Sequence, residues 1–223
     1  MRSRVPVSRR ERPAKPALTR DGIVAVAIAV LRAEGLTKVT MRRLAQELDT
    51  GPASLYVYVA NTAELHAAVL DELLGDVDLR GAGGWRQRLT GVLTSYTRVL
   101  LEYPGLARSA LTARPSGEHY LRLVETLLAL LDEGGVPAAQ AAWGVDVLLQ
   151  FGTATAAEHA TRERPAHAAD ERDALTRALH GVSPETHPRL RALADSLLAG
   201  SPEERMAWCF QMLINGISGT PVP

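Results

Sequence analysis

The stretch VTMRRLAQELDTGPASLYVYVANTAEL, residues 39–65, reads as two short helices joined by a tight turn. Thr40 is a residue type that caps the orphan N–H groups of a following turn, and residues 41–48 then repeat Leu44, Ala45 and Leu48 at helical spacing. Arg42, Arg43, Gln46 and Glu47 fall off that apolar stripe. Asp49-Thr50-Gly51 breaks the pattern, because Asp tolerates a left-handed turn better than most residues and Gly tolerates it freely. Pro52 cannot extend a preceding helix but suits the first turn of a new one, which predicts a second helix over residues 52–58. Leu55 and Val59 are then available for packing, and Ser54, Tyr56 and Tyr58 for contact. Asn61 and Glu64 are spaced like a cap and its N3 partner, so a further helix is expected from 62 to about 75, carrying Leu65, Val69, Leu70, Leu73 and Leu74.

Upstream, residues 20–34 are apolar over most of a helical surface and need burial against this pair, which completes a three-helix unit ended by Gly35. Before it, residues 1–18 carry Arg2, Arg4, Arg9, Arg10, Arg12 and Lys15 against the single acid Glu11, together with three prolines. That composition predicts a disordered basic arm, either a solvated tail or a segment that follows the minor groove or the phosphates of a duplex. Over the whole chain 25 basic and 25 acidic residues balance, yet residues 1–50 hold 11 Lys or Arg against 5 Asp or Glu and the remainder holds 14 against 20. The basic end suits a polyanion, so neutrality overall is no argument against DNA binding.

On these residues the chain resembles the tetracycline-repressor (TetR) family of bacterial one-component transcriptional regulators, whose hallmark is this helix-turn-helix followed by LYxYV and an Asn opening the linking helix. The specific part of the resemblance covers about residues 19–74. It implies that the helix from Pro52 enters the major groove of double-stranded operator DNA, with Thr40, Arg42, Pro52, Ala53, Ser54, Tyr56, Tyr58 and Thr62 as the DNA-facing set. Two departures stand out. Asp49-Thr50 replaces the usual Gly-Val of the turn, and Thr62 replaces the usual Lys after the Asn, which removes a common phosphate contact and predicts weaker non-specific binding.

A chain of 223 residues is comfortable for two domains, and the expected division is residues 19–75 for DNA binding and 76–223 for a larger helical ligand-binding and dimerisation domain. No convincing period-2 strand occurs after Trp85. Apolar runs recur instead at helical spacing over about 85–102, 105–112, 116–133, 137–162, 170–180, 188–198 and 202–218, with Ser116 and Ser201 as expected caps. The fold class is therefore all-α. No run qualifies as a membrane span and the arm lacks an apolar signal core, which gives a cytoplasmic expectation. Cys209, alone among Met206, Trp208, Phe210 and Met212, is expected as a packed apolar residue.

Residues 206–217 are apolar nearly all round, more than a monomeric surface helix buries on one side. In the family the last two long helices form a four-helix bundle with their symmetry mates, which implies a homodimer through residues 137–162 and 202–218. A two-fold dimer places two recognition helices on half-sites about 34–36 Å apart. For an input, Trp143, Val147, Gln150 and Ala154 share one helix face, and Asp146, Gln150 and Thr153 put polar groups into an apolar helix. Trp85, Tyr96, Tyr103, Tyr120, Trp143, Val147, Gln150 and Thr153 are the expected lining of a small-molecule effector site, with no cofactor and no metal. Gly144 and Gly152 are read as points of close helix approach or of a kink.

Enzyme readings fare poorly. The six histidines never pair at metal spacing, and RGAGGW at 80–85 follows a helix and lacks the Lys-Ser/Thr ending of a phosphate loop. The expected function is a dimeric repressor that binds a palindromic operator and is released by a small ligand. The rival is a ligand-binding or scaffold protein of the same fold that has lost operator recognition.

Overall fold

Thr19 accepts a hydrogen bond from the Gly22 amide at 3.0 Å and so starts α1 (Arg20–Glu34), the first of eleven α-helices in a computed structural model that describes residues 17–162 and 165–223. There is no strand among the described residues, in line with the all-α reading. The basic arm, but for Ala17 and Leu18, lies outside the described residues. Two compact units divide between Ala60 and Asn61, earlier than the division expected at 75, so the helix from Thr62 groups with the second unit.

The first unit holds α1, α2 (Met41–Glu47) and α3 (Pro52–Leu55). Thr40 caps α2 through the Arg43 amide at 3.2 Å, as its residue type predicts. At the other end Asp49 takes φ 46°, its N–H reaching Gln46 O at 3.2 Å while the Thr50 N–H reaches Ala45 O at 2.9 Å. This paired closure satisfies carbonyls that a helix end leaves open, and Asp supplies the left-handed residue where Gly is commoner. The α-helical part of α3 ends at Leu55, three residues short of the expected Tyr58. The winding continues as a turn, with Tyr58 N–H on Leu55 O at 2.9 Å and Val59 N–H on the same carbonyl at 3.1 Å. Ile23, Ala27, Leu44, Leu55 and Val59 are buried.

The second unit comprises α4 (Thr62–Leu73), α5 (Trp85–Glu102), α6 (Pro104–Ala110), α7 (Glu118–Glu133), α8 (Ala138–Arg162), α9 (Pro165–Gly181), α10 (Pro188–Leu198) and α11 (Pro202–Gly219). α8 runs through the middle, packed by α5, α6, α7 and α11. Glycines make that packing close. A Cβ on Gly152 would lie 2.7 Å from Thr97 Oγ1 and 3.2 Å from the Tyr96 ring, and one on Gly144 would lie 2.6 Å from Ile217 Cγ2. Each glycine costs about 1 kcal/mol in helix propensity and in return lets α5 and α11 approach. Phe210 of α11, fully buried, meets Phe151 of α8 edge to face at 5.2 Å.

The caps differ in origin. Asn61 Oδ1 accepts from the Glu64 amide at 2.9 Å, and Ser201 with Glu204 forms a reciprocal pair at 3.1 and 2.8 Å. Ser116, expected to cap α7, does not; the N-cap is Gly117, and the Tyr120 amide is taken at 3.0 Å by Asp71 from α4. A side chain at 117 would collide with that carboxylate. Asp71→Ala is therefore expected to cost about 1 kcal/mol, the usual value of a cap. Urea denaturation checks this: the midpoint should fall while the slope stays constant.

Candidate nucleic-acid interface and effector cavity

Because Leu55 and Val59 point inward, helical spacing turns the remaining side chains of α3 and its following turn outward. Pro52, Ala53 and Ser54 are exposed, Tyr56 is 52 % and Tyr58 37 % exposed, and Val57 stands 80 % free. Thr40 and Arg42 are exposed on α2, and Thr62 is exposed at the first position of α4. Every residue of the expected DNA-facing set is thus at the surface. Arg43 is tied elsewhere: its Nη2 donates at 2.7 Å to Glu34 Oε1 of α1 and at 2.7 Å to Glu47 Oε1 one turn on. These hydrogen bonds raise the guanidinium's pKa, the Glu34 bond foremost, and the same contact holds the Glu34 carboxyl below its ordinary value. Of the two neighbouring arginines, Arg42 is the one presented to solvent.

In the second unit a small cavity of about 60 Å³ lies where α5, α6, α7 and α8 meet, lined by Tyr96, Ala110, Leu111, Arg114, Pro115, Tyr120, Leu149, Gln150 and Thr153. Tyr96 Oη sits 2.7 Å from Thr153 Oγ1, and Thr153 Oγ1 donates to Leu149 O at 2.8 Å. Burial pushes the Tyr96 phenol up to about 12 and also raises that of Tyr120, so both hydroxyls stay protonated at neutral pH. Arg114 Nη1 is hydrogen-bonded to Asp146 Oδ1 in a half-exposed ion pair, which raises the guanidinium's pKa.

Four of the eight expected lining residues, Tyr96, Tyr120, Gln150 and Thr153, therefore meet at one cavity. The other four lie elsewhere. Trp85 packs on Gly134, where an added Cβ would fall 2.5 Å from its ring, with the Arg86 guanidinium 4.3 Å from the ring centroid. Tyr103 is the half-buried residue before α6. Trp143 and Val147 stand on the outer face of α8, 61 % and 43 % exposed, because the inward face belongs to Ala141, Gly144, Val145, Leu148 and Gly152. Small residues recurring at helical spacing are the signal that marks this inward face. Arg114 and Leu111 also line the cavity; both follow the end of α6, where Pro115 interrupts helical periodicity and no face pattern points to them.

A wider groove of about 700 Å³ runs between α5 and α11, lined by Arg86, Thr90, Thr94, Arg98, Gln211 and Asn215 among others. It is larger, but its walls are those of a solvated helix face. The cavity at Tyr96 is the more enclosed of the two and has the buried Tyr96 and Thr153 at its floor. Among the described residues no group of three or more His, Cys, Asp or Glu is placed to hold a metal ion, and no helix is long and apolar enough to cross a membrane. Cys209 is half-buried on α11.

Comparison with known proteins bears on both regions. Residues 23–69 match the family model for bacterial regulatory proteins of the tetR family, and residues 78–220 match the tetracyclin repressor-like C-terminal domain. A solved structure of SCO7704, a candidate transcription regulator from Streptomyces coelicolor, is 62 % identical and superposes with a TM-score of 0.79 over 94 % of this chain and 98 % of that one. ActR of the same organism, solved in complex with actinorhodin, is 35 % identical with a TM-score of 0.79 over 90 % of this chain and 95 % of that one. The HTH-type transcriptional repressor DrrR1 of Streptomyces coeruleorubidus is 34 % identical over 132 residues, 57 % of this chain and 48 % of DrrR1. The chain thus matches about half the length of that curated relative.

Proposed function

Because the chain belongs to the tetR family of bacterial regulatory proteins, we propose that it is a dimeric transcriptional repressor that grips a palindromic operator through α2 and α3 and is released by a small ligand in its helical domain. The observation that carries this reading is the outward face of Pro52, Ala53, Ser54, Tyr56 and Tyr58, held by the buried Leu55 and Val59. Two such faces related by a two-fold axis fit half-sites one turn of the duplex apart, about 34–36 Å. The dimer is assigned to α8 and α11, whose outer faces leave Trp143, Val147, Trp208 and Met212 exposed. Large apolar side chains left exposed on two helices that pack together suit a subunit interface.

The effector is assigned to the cavity at Tyr96 and Thr153, with ActR, solved with actinorhodin, as the supporting relative. Its action is a population shift: a ligand that binds better to the form with mismatched recognition helices depletes the operator-bound form. A fluorescence-anisotropy titration of a labelled palindrome against scrambled DNA tests the operator reading. Tyr56→Ala is expected to weaken palindrome binding by about tenfold, within the range of a lost interface contact. Equal binding of both DNAs by both proteins counts against the assignment.

Thr62, exposed where the family usually has Lys, favours a second reading, a ligand-binding protein of this fold without operator recognition. Salt separates the two. A chain that neutralises several phosphates weakens steeply between low and physiological salt, whereas the second reading predicts no such slope.

A further inference from the structure

Proton bookkeeping at the floor of the cavity fixes what a ligand must offer. Thr153 has one hydroxyl hydrogen and gives it to the Leu149 carbonyl at 2.8 Å, so in the 2.7 Å contact with Tyr96 the threonine is the acceptor and the tyrosine the donor. The Tyr96 hydroxyl thereby spends its hydrogen and keeps lone pairs to accept with. A ligand reaching the floor has to bring an O–H or N–H.

The wall at Arg114 imposes a second condition. At about 60 Å³ the cavity is too small for a ring, since ligand pockets usually run from roughly 300 Å³ upward. It must widen, and its parts do not yield equally. The Tyr96–Thr153 bond is buried, whereas the Arg114–Asp146 pair is 58 % and 50 % exposed and so is cheap to break. Once broken, it leaves the only cationic side chain of the lining without its carboxylate. Tyr120, Leu111 and Pro115 supply apolar wall between the two ends.

We propose that this cavity takes a hydroxylated aromatic acid, whose ring hydroxyl donates to Tyr96 Oη and whose carboxylate displaces Asp146 from Arg114. The inference rests on the effector reading and adds the ligand class and the latch. Arg114 and Asp146 then set specificity: widening the cavity at Arg114 costs the ion pair, and only an anion on Arg114 replaces it.

The test uses three matched probes, 6-hydroxy-2-naphthoate, 6-methoxy-2-naphthoate and 6-hydroxy-2-naphthamide, titrated calorimetrically into the full chain. The hydroxy acid is expected to bind about tenfold more tightly than either congener, the scale of one lost hydrogen bond. Tyr96→Phe should abolish the preference for hydroxyl over methoxyl and leave the preference for acid over amide. Arg114→Gln should do the reverse. Asp146→Asn, an exposed change that spares the core, removes the ion pair that every probe must open and should tighten the acid and the amide alike while the preference for acid over amide stays, which keeps the test decisive if Tyr96→Phe folds poorly. Equal affinity for all three probes, or preferences unaltered in Tyr96→Phe and Arg114→Gln, overturns the ligand class and leaves the effector cavity standing. Binding by none of the probes also overturns the class. Binding that persists unchanged when Thr153→Phe fills the cavity overturns both the class and the site.

Discussion

Replacing Trp143 and Trp208 together by Asp is expected to yield a folded monomer whose operator affinity falls by at least about 100-fold, the scale by which linking two binding sites exceeds one. Both rings are mainly exposed on the protomer, at 61 % and 63 %, so their loss removes little from its own core. A tryptophan buried in a partner contributes roughly 150–250 Å² of contact, and an Asp in its place forces a carboxylate against its symmetry mate without a counter-charge. Light scattering should report the monomer mass and the melting profile should stay cooperative. Anisotropy on a full palindrome then measures the loss, while a half-site should bind the variant and the parent alike. A double variant that remains dimeric moves the subunit interface away from α8 and α11.

Phe210→Ala acts on the other side of the same helix and is expected to cost about 3–5 kcal/mol, the range for emptying a buried aromatic site. Phe210 is 0 % exposed and meets the Phe151 ring at 5.2 Å and 84°, an arrangement that adds about 0.5–1.5 kcal/mol beyond area alone. A domain typically has only about 5–15 kcal/mol in hand, so the loss is a large share of the whole. Urea unfolding at fixed protein concentration measures it. Met212→Ala, on the exposed face of α11, should leave the intrinsic stability of the monomeric double-Asp chain nearly unchanged.

Local chemistry made most of the fold legible in the sequence. Thr40, Asn61 and Ser201 announce helix starts because a cap and the amide it satisfies are three residues apart. Asp49-Thr50-Gly51 announces its turn because few residues accept a positive φ. Ser116 misled for the converse reason. Its role passes to Asp71, 49 residues away from the Tyr120 amide, and nothing local encodes that contact. The outward face of Pro52, Ala53, Ser54, Tyr56 and Tyr58 was readable from Pro52 and the Leu55/Val59 spacing, since a short helix with two inward residues has its outward ones fixed. The cavity was half readable. Periodicity groups Trp143 with Val147 and Gln150, but which side of α8 turns inward depends on the glycines that α5 and α11 approach.

The bracketing of Arg43 by two glutamates alters how the protein should sense ionic strength. Two adjacent arginines promise a polyanion two cations per subunit, yet one guanidinium is already neutralised from within. Each phosphate met by a free cation steepens the logarithmic salt response by about 0.9, so in the proposed operator complex, with Arg42 on a phosphate, α2 is expected to supply about 1.8 per dimer rather than twice that. Releasing the restraint with Glu34→Gln and Glu47→Gln should restore the missing increment, and with it stronger adhesion to DNA of any sequence. In the proposed complex those two carboxylates are a built-in brake on indiscriminate binding.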